Sequence, residues 1–214
     1  MKVDYSKFVN EIKFLLKEHK ALPVILLISV PAALGVGTWL YFRRQSRIVR
    51  YAKKFIGEEE FSGNEGFKDK EFDQLMRDYG DFRNSQAWCM SFAKMIWIKK
   101  FGKKYQSALD SIITPSTQTS WQNFVNDKSG DFKVSKTPKK GSIVIWQNYV
   151  NGKPQWTGHA GIVQRADINE FETIEGNTNN DEGSREGYEV AERTRKYNWN
   201  TTNGLRLKGF ISIA

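Results

Sequence analysis

The chain is poor in the residues from which many sites are assembled. Its 214 residues hold one cysteine, Cys89, and two histidines, His19 and His159. A single thiol excludes an internal disulfide. With no cysteine pair, no second histidine near His159 and no His-Glu-x-x-His run, the usual ligands of a zinc cage are missing. Calcium would have to use the acidic loop at Asp78, Asp81 and Asn84, which reads first as a solvated turn. No cofactor and no metal are expected. The chain also lacks internal repeats and low-complexity tracts. Residues 58–214 lack an excess of either charge, with 22 Lys+Arg against 21 Asp+Glu, whereas residues 1–57 carry 11 against 3. The net charge of +9 therefore belongs to the N-terminal segment. The remainder has no electrostatic footprint for a phosphate backbone, so no nucleic acid is expected as a partner.

Charge is absent altogether from residues 21–42, which read ALPVILLISVPAALGVGTWLYF. As a helix this stretch spans about 33 Å, enough for a bilayer core of about 30 Å. Trp39 and Tyr41 sit at its end, where amphipathic rings favour the interface. Arg43, Arg44, Arg47, Arg50, Lys53 and Lys54 follow and match anionic lipid headgroups. The rival is a cleaved signal peptide. Against it, residues 1–20 resemble an amphipathic helix (Phe8, Ile12, Leu15, Leu16), and the run leads into the basic cluster with no clear cleavage site. The expected organisation is an amphipathic segment at 1–20, a transmembrane anchor at 21–42, a basic then acidic linker at 43–66, and a globular domain at 67–214. Lysines and arginines flank the anchor about equally, so charge does not orient it.

The globular part is rich in aromatic residues, which gives it apolar surface for a core. Residues 67–80 have a helical pattern, with Phe72, Leu75 and Met76 on one face. Residues 86–101 read as the main, amphipathic helix, ending near Gly102. Residues 105–127 carry a further helical stretch anchored by Trp121, Phe124 and Val125. From Gly141 the pattern changes to short β-branched runs at 142–146, 160–164 and 170–175, and a closing strand at 206–213. Helices followed by a strand meander predict an α+β fold.

Cys89 lies in Asn84-Ser-Gln-Ala-Trp-Cys-Met-Ser-Phe-Ala93, where polar residues precede a helical apolar pattern. That puts the thiol in the first turn of a buried helix, whose partial positive charge favours a thiolate. Most lone cysteines are merely buried, so the partners decide. His159 opens the apolar strand Gly158-His-Ala-Gly-Ile-Val163. The strand at 170–175 ends in Glu175-Gly-Asn177. In a meander, His159 and Glu175 meet at neighbouring strand ends. A thiolate attacks a carbonyl carbon, an imidazole moves the proton, and a third polar group orients the imidazole. Glu175 is the candidate orienter and Asn177 the alternate. The backbone N–H of Cys89 is the candidate oxyanion donor.

From about residue 67 to 214 the chain resembles the CHAP family, the cysteine- and histidine-dependent amidohydrolases/peptidases of papain-like fold that cut peptidoglycan. Five elements carry the resemblance in order: Ala87-Trp-Cys89 opening a helix, Pro138-Lys-Lys-Gly141 before an Ile-Val-Ile strand, Gly158-His-Ala-Gly-Ile-Val163, Glu175-Gly-Asn177, and Lys208-Gly-Phe-Ile211. Residues 176–187 with Arg193-Thr-Arg195 are similar to a tail in one branch of the family. The resemblance implies that Cys89 is the nucleophile, His159 the base, and Glu175 with Asn177 the remaining polar members. Ser142 stands where the family usually has an acidic residue, and Trp88 where many members have glutamine. Both departures leave the scissile bond open. The implied function is a membrane-anchored peptidoglycan hydrolase, amidase or endopeptidase, held outside the cytoplasm by the N-terminal helix. The alternative is a catalytically silent wall-binding or structural module with an assembly partner in a phage or secretion complex.

Overall fold

The computed structural model describes residues 45–179 and 187–214. The segments expected as an amphipathic helix (1–20) and a membrane span (21–42) lie outside the described residues. Among the described residues no helix is long and apolar enough to cross a membrane.

The described chain is α+β. A helical stretch at 45–52 and a 3-10 turn at Lys53–Phe55 lead to helices α1 (Lys70–Gly80), α2 (Cys89–Phe101), α3 (Lys103–Ile112) and α4 (Thr117–Asn126). Strands β1 (Phe132–Ser135), β2 (Ile143–Val150), β3 (Lys153–Ala166), β4 (Glu170–Thr178), β5 (Glu189–Lys196) and β6 (Gly204–Ile213) follow. They form one antiparallel sheet in the order β1-β6-β2-β3-β4-β5. Helices first and an antiparallel sheet second is the expected architecture.

Helix α1 starts where Asp69 accepts a hydrogen bond from the Phe72 N–H at 2.7 Å. Its buried Phe72 and Met76 face α2. Gly80 allows the two helices to touch, since a Cβ there would lie 2.7 Å from the Ser91 carbonyl oxygen. Helix α2 departs from the expected amphipathic pattern. All ten residues from Cys89 to Ile98 are buried, so it is enclosed on every side. Even Lys94 is buried, with its ammonium 2.9 Å from Asp110. The expected stretch at 105–127 is two helices. Pro115 interrupts it, and Ser116 restarts the chain by accepting from the Thr119 N–H at 3.2 Å. Phe124 is buried and Trp121 partly so, but Val125 is exposed.

The largest correction concerns the linker expected at 43–66. Ile48, Val49, Ala52 and Phe55 are buried in the main core. Beyond them, residues 57–60 run beside the start of β5, with hydrogen bonds Gly57 N–H to Val190 O (2.8 Å), Val190 N–H to Glu58 O (2.9 Å) and Glu60 N–H to Tyr188 O (2.8 Å). The dense charges of this segment mask its apolar residues, which recur at helical spacing. Strands β1 and β5 are further additions. β1 is only four residues long, and five of the eight residues of β5 are charged, so neither shows an apolar alternation.

Candidate active site

Four elements converge on one cleft of about 720 Å³ lined by Cys89, His159, Asn177 and Arg195 among others. Cys89 is the first residue of α2. Trp88 precedes it without a side-chain cap, and the Asn177 side-chain oxygen accepts from the Trp88 N–H at 2.8 Å. The Trp88 indole is fully buried and donates to Glu60, a residue of the former linker. Position 88 thus supplies packing and a hydrogen bond beneath the nucleophile.

His159 lies on β3, opposite Trp146 of β2 in the sheet register. The Trp146 ring stacks on the imidazole at 5.9 Å and 29°. Nε2 of His159 is 2.9 Å from Oε2 of Glu175 on β4. Cys89 and His159 line the same cleft, and Cys89 acts with Glu175 to favour the protonated imidazole. Glycine is required beside this pair: a Cβ at Gly161 would lie 2.7 Å from Glu175 Cγ, and one at Gly176 would lie 2.4 Å from the Trp88 ring. These contacts give a steric reason for the glycines in Gly158-His-Ala-Gly161 and Glu175-Gly-Asn177.

Glu175 is 0 % exposed, and a lone carboxylate there would be strongly disfavoured. Its charge is met from several sides. Thr173 donates its hydroxyl to Oε1. Arg195 of β5 forms a fork, with Nε 2.9 Å from Oε1 and Nη2 on Oε2. The Arg195 guanidinium also lies over the Trp146 ring, 5.5 Å from its centre. Burial pushes the Glu175 carboxyl up, but Arg195 and His159 outweigh it and hold the group well below the usual carboxylate range. Burial pulls His159 down, but hydrogen bonds and charge from Cys89 and Glu175 push it up to about 9. At neutral pH the imidazole is protonated and sits beside the ionised Glu175 carboxylate.

The expected pair His159 and Glu175 is therefore brought together. Asn177, the alternate orienter, bonds elsewhere: its Oδ1 takes the Trp88 N–H, and its Nδ2 donates to the Gly187 carbonyl at 3.0 Å. With φ at +55° it shapes the chain that holds the start of α2. The acidic loop before the nucleophile is knitted by side chains. Arg77 donates to Asn84 at 2.9 Å, and Glu65 accepts from Asn84 at 3.0 Å and from Ser85 at 2.9 Å. Among the described residues no three His, Cys, Asp or Glu side chains are grouped to hold a metal.

Residues 81–177 match the family model of the CHAP domain. Over this segment the resemblance read from the motifs is shown. The match runs from the end of α1 to β4, so it contains Cys89, His159, Glu175 and Asn177. It stops before β5 and Arg195. A comparison with curated proteins found no match. The CHAP domain suggests a peptidoglycan amidase- or peptidase-type function.

The sequence motifs give Arg195 no role of its own beyond its place in Arg193-Thr-Arg195. Two signals were available. Residues 193 and 195 alternate onto one face of a strand, and a carboxylate buried at the end of β4 requires a cation. Trp146 ends a β-branched run in the sequence, and its stacking on His159 follows from strand register.

Proposed function

We propose that the chain is a membrane-anchored peptidoglycan hydrolase that cleaves an amide by thiol acyl transfer. The observation that carries this reading is that Cys89 shares one cleft with His159, behind which runs the hydrogen-bonded series His159–Glu175–Arg195. With the proton held on His159, Cys89 attacks the amide carbonyl carbon as the thiolate. Negative charge then develops on the carbonyl oxygen. The backbone N–H of Cys89, in the first turn of α2, is suited to receive it, because first-turn N–H groups have no intrahelical acceptor. His159 returns the proton to the departing nitrogen, and the C–N bond breaks to leave a thioester. Water, deprotonated by His159, attacks the thioester carbon and releases the acid and the thiol. Glu175 orients the imidazole and stabilises its charge, while Arg195 keeps Glu175 ionised and in place.

The apolar segment at 21–42 is the proposed anchor, with the catalytic domain on the outer side where the substrate lies. A membrane-impermeant thiol label should then reach Cys89 in spheroplasts after mild denaturation, and labelling only after lysis would place the domain inside. The test of the reaction is digestion of purified peptidoglycan by the full chain, with products identified by mass. New amine and carboxyl ends should appear in equal number. Unchanged wall material under conditions where the protein is folded would remove the hydrolase reading.

A further inference from the structure

The reaction uses neither Lys208-Gly-Phe-Ile211 nor Gly158, yet the fold joins them at the backbone that carries His159. Strand β6 slips against β2 there. Ile145 pairs with Gly209 but Trp146 pairs with Leu207, so Lys208 is the extra residue of a β-bulge. Bulges re-aim side chains, often beside active sites. Nζ of Lys208 reaches the first turn of α4 and donates to Oε1 of Gln118 at 2.9 Å. At the other end of the same amide, Nε2 donates to the Trp146 carbonyl at 2.9 Å and to the Thr117 hydroxyl at 3.0 Å. Trp146 is the residue opposite His159, with its ring stacked on the imidazole. A Cβ at Gly158 would lie 2.2 Å from the Trp146 carbonyl oxygen, 2.3 Å from Gln118 Nε2 and 2.6 Å from Thr117 Oγ1. The start of α4 is therefore seated on β2 and β3 beside the catalytic histidine, with no room for a side chain between.

The chemistry of the three groups fixes which way the amide turns. An ammonium only donates, so the amide atom facing it is the oxygen, and the NH₂ is left for the carbonyl. Turned over, the amide would set donor against donor at Lys208 and acceptor against acceptor at Trp146. Lys208 is itself held on two sides. Its ammonium lies 5.9 Å from the centre of the Trp121 ring, and its carbonyl accepts from Lys136 at 2.7 Å.

Resting on the hydrolase reading above, we infer that Gln118 is a positioning residue: oriented by Lys208, it holds the Trp146 backbone and so the indole on which the His159 imidazole is stacked. Gln118 lies outside the residues that line the cleft, so its effect passes through Trp146 to the imidazole. Without it the imidazole rocks away from Glu175 and Cys89. Proton transfer then slows, while binding of the wall is unchanged.

Kinetics and histidine titration of the full-length chain test this separately. Gln118→Met keeps side-chain length and helix propensity and removes both polar ends. Per folded molecule it should lower kcat on purified peptidoglycan about tenfold and leave KM within about twofold. Gln118→Glu keeps an acceptor for Lys208 but has no donor for Trp146, so it should lose as much activity. A residue that merely ties α4 to β6 would tolerate that change. Lys208→Met frees the amide to turn and should cost about threefold in kcat, which Lys208→Arg should restore. The second arm needs no catalysis. The chain has two histidines, and the ring C–H resonance of His159, assigned by its loss in His159→Gln, should titrate near 9 in the wild type. Cys89 of α2 and Glu175 of β4 act on that imidazole, with Arg195 of β5 behind Glu175, and the variants alter none of them. In Gln118→Met the midpoint should fall by about 0.5 in pH or more as the indole and the carboxylate drift from the imidazolium. An unmoved midpoint, an unchanged kcat, a loss confined to KM, or wild-type activity in Gln118→Glu would overturn the inference. If Gln118→Met does not fold, Lys208→Met against Lys208→Arg makes the same comparison. A shifted midpoint in a protein whose wild type leaves the wall intact would sink the hydrolase reading and leave Gln118 as the residue that sets the imidazole.

Discussion

The two faces of the sheet are built from the same strands and do different work. One face, with Ile143, Ile145, Ala160, Ile162, Ile174 and Ile211, belongs to the main core together with the fully enclosed α2. The other carries a smaller cluster of Val144, Trp146, Val163, Phe171, Leu207 and Phe210. Alternation along β3 and β4 sends His159, Thr173 and Glu175 to that second face. The first face buries aliphatic surface without charge and sets stability. The second combines stacked aromatics with a buried ion pair, which stabilises a fold less per residue than aliphatic packing does. A polar network retained on one face of an otherwise apolar sheet points to chemistry there.

Separation of chemistry from packing should be plainest at the nucleophile, which the main-core helix α2 presents to the same cleft as His159 of the second face. Cys89→Ser is expected to lower wall hydrolysis by about 10⁴-fold or more, while its unfolding free energy shifts by less than about 1 kcal/mol. Ile211→Ala, on the main-core face, should do the reverse. It should destabilise by about 3 kcal/mol and leave kcat per folded molecule unchanged. Urea unfolding and active-site titration of both variants decide this. A serine variant that keeps most of its activity, or an Ile211 variant whose folded fraction is inactive, would break the division.

Arg195 is where the faces should be hardest to separate. Its side chain is only 24 % exposed and forms a fork on a carboxylate with no exposure at all. Arg195→Ala leaves that carboxylate with His159 and Thr173 alone. A loss of about 3 kcal/mol in stability is expected, together with about a 100-fold loss of kcat as Glu175 shifts. Arg195→Lys keeps a charge without the fork, so it should restore more stability than activity. Equal recovery of both would make Arg195 a purely structural residue.

Much of this was legible because the relevant signals are local. The β-branched runs marked β2, β3, β4 and β6, and the helical spacing of Phe72 and Met76 marked α1. His159 and Glu175 could be paired because a meander brings adjacent strand ends together. The rest required contacts between distant parts of the chain. Residues 45–60 read as a linker because their charges are dense, and only packing shows that Ile48, Ala52 and Phe55 complete the core. Strand β5 carries no element in the sequence pattern because its glutamates and arginines obscure the apolar residues, although one of those arginines neutralises Glu175. Asn177 looked like an orienter from its spacing. Its left-handed backbone and its bond to Trp88 place it behind the nucleophile instead.

The smallest expected effect is in the pH dependence. His159 is raised from 6.5 to about 9 by Cys89 and Glu175 against the opposing effect of burial. Glu175 is lowered from 4.5 by Arg195 and His159, again against burial. A raised histidine contributes stability that is complete below 6.5 and disappears as pH climbs through about 9. A lowered carboxyl contributes stability that is complete above 4.5 and disappears as pH falls below it. The pair therefore stabilises most between about 4.5 and 6.5, and thermal melts should fall away on either side. Activity should share the alkaline limb, because a neutral imidazole has no proton for the leaving amine. Glu175→Gln removes a carboxylate that favours the imidazolium, so both alkaline limbs should move down toward 6.5 together. Ile211→Ala should lower stability at every pH without moving either limb. If Glu175→Gln leaves the alkaline limb of kcat/KM in place, the carboxylate does not control the imidazole, and the second face would be only a smaller core.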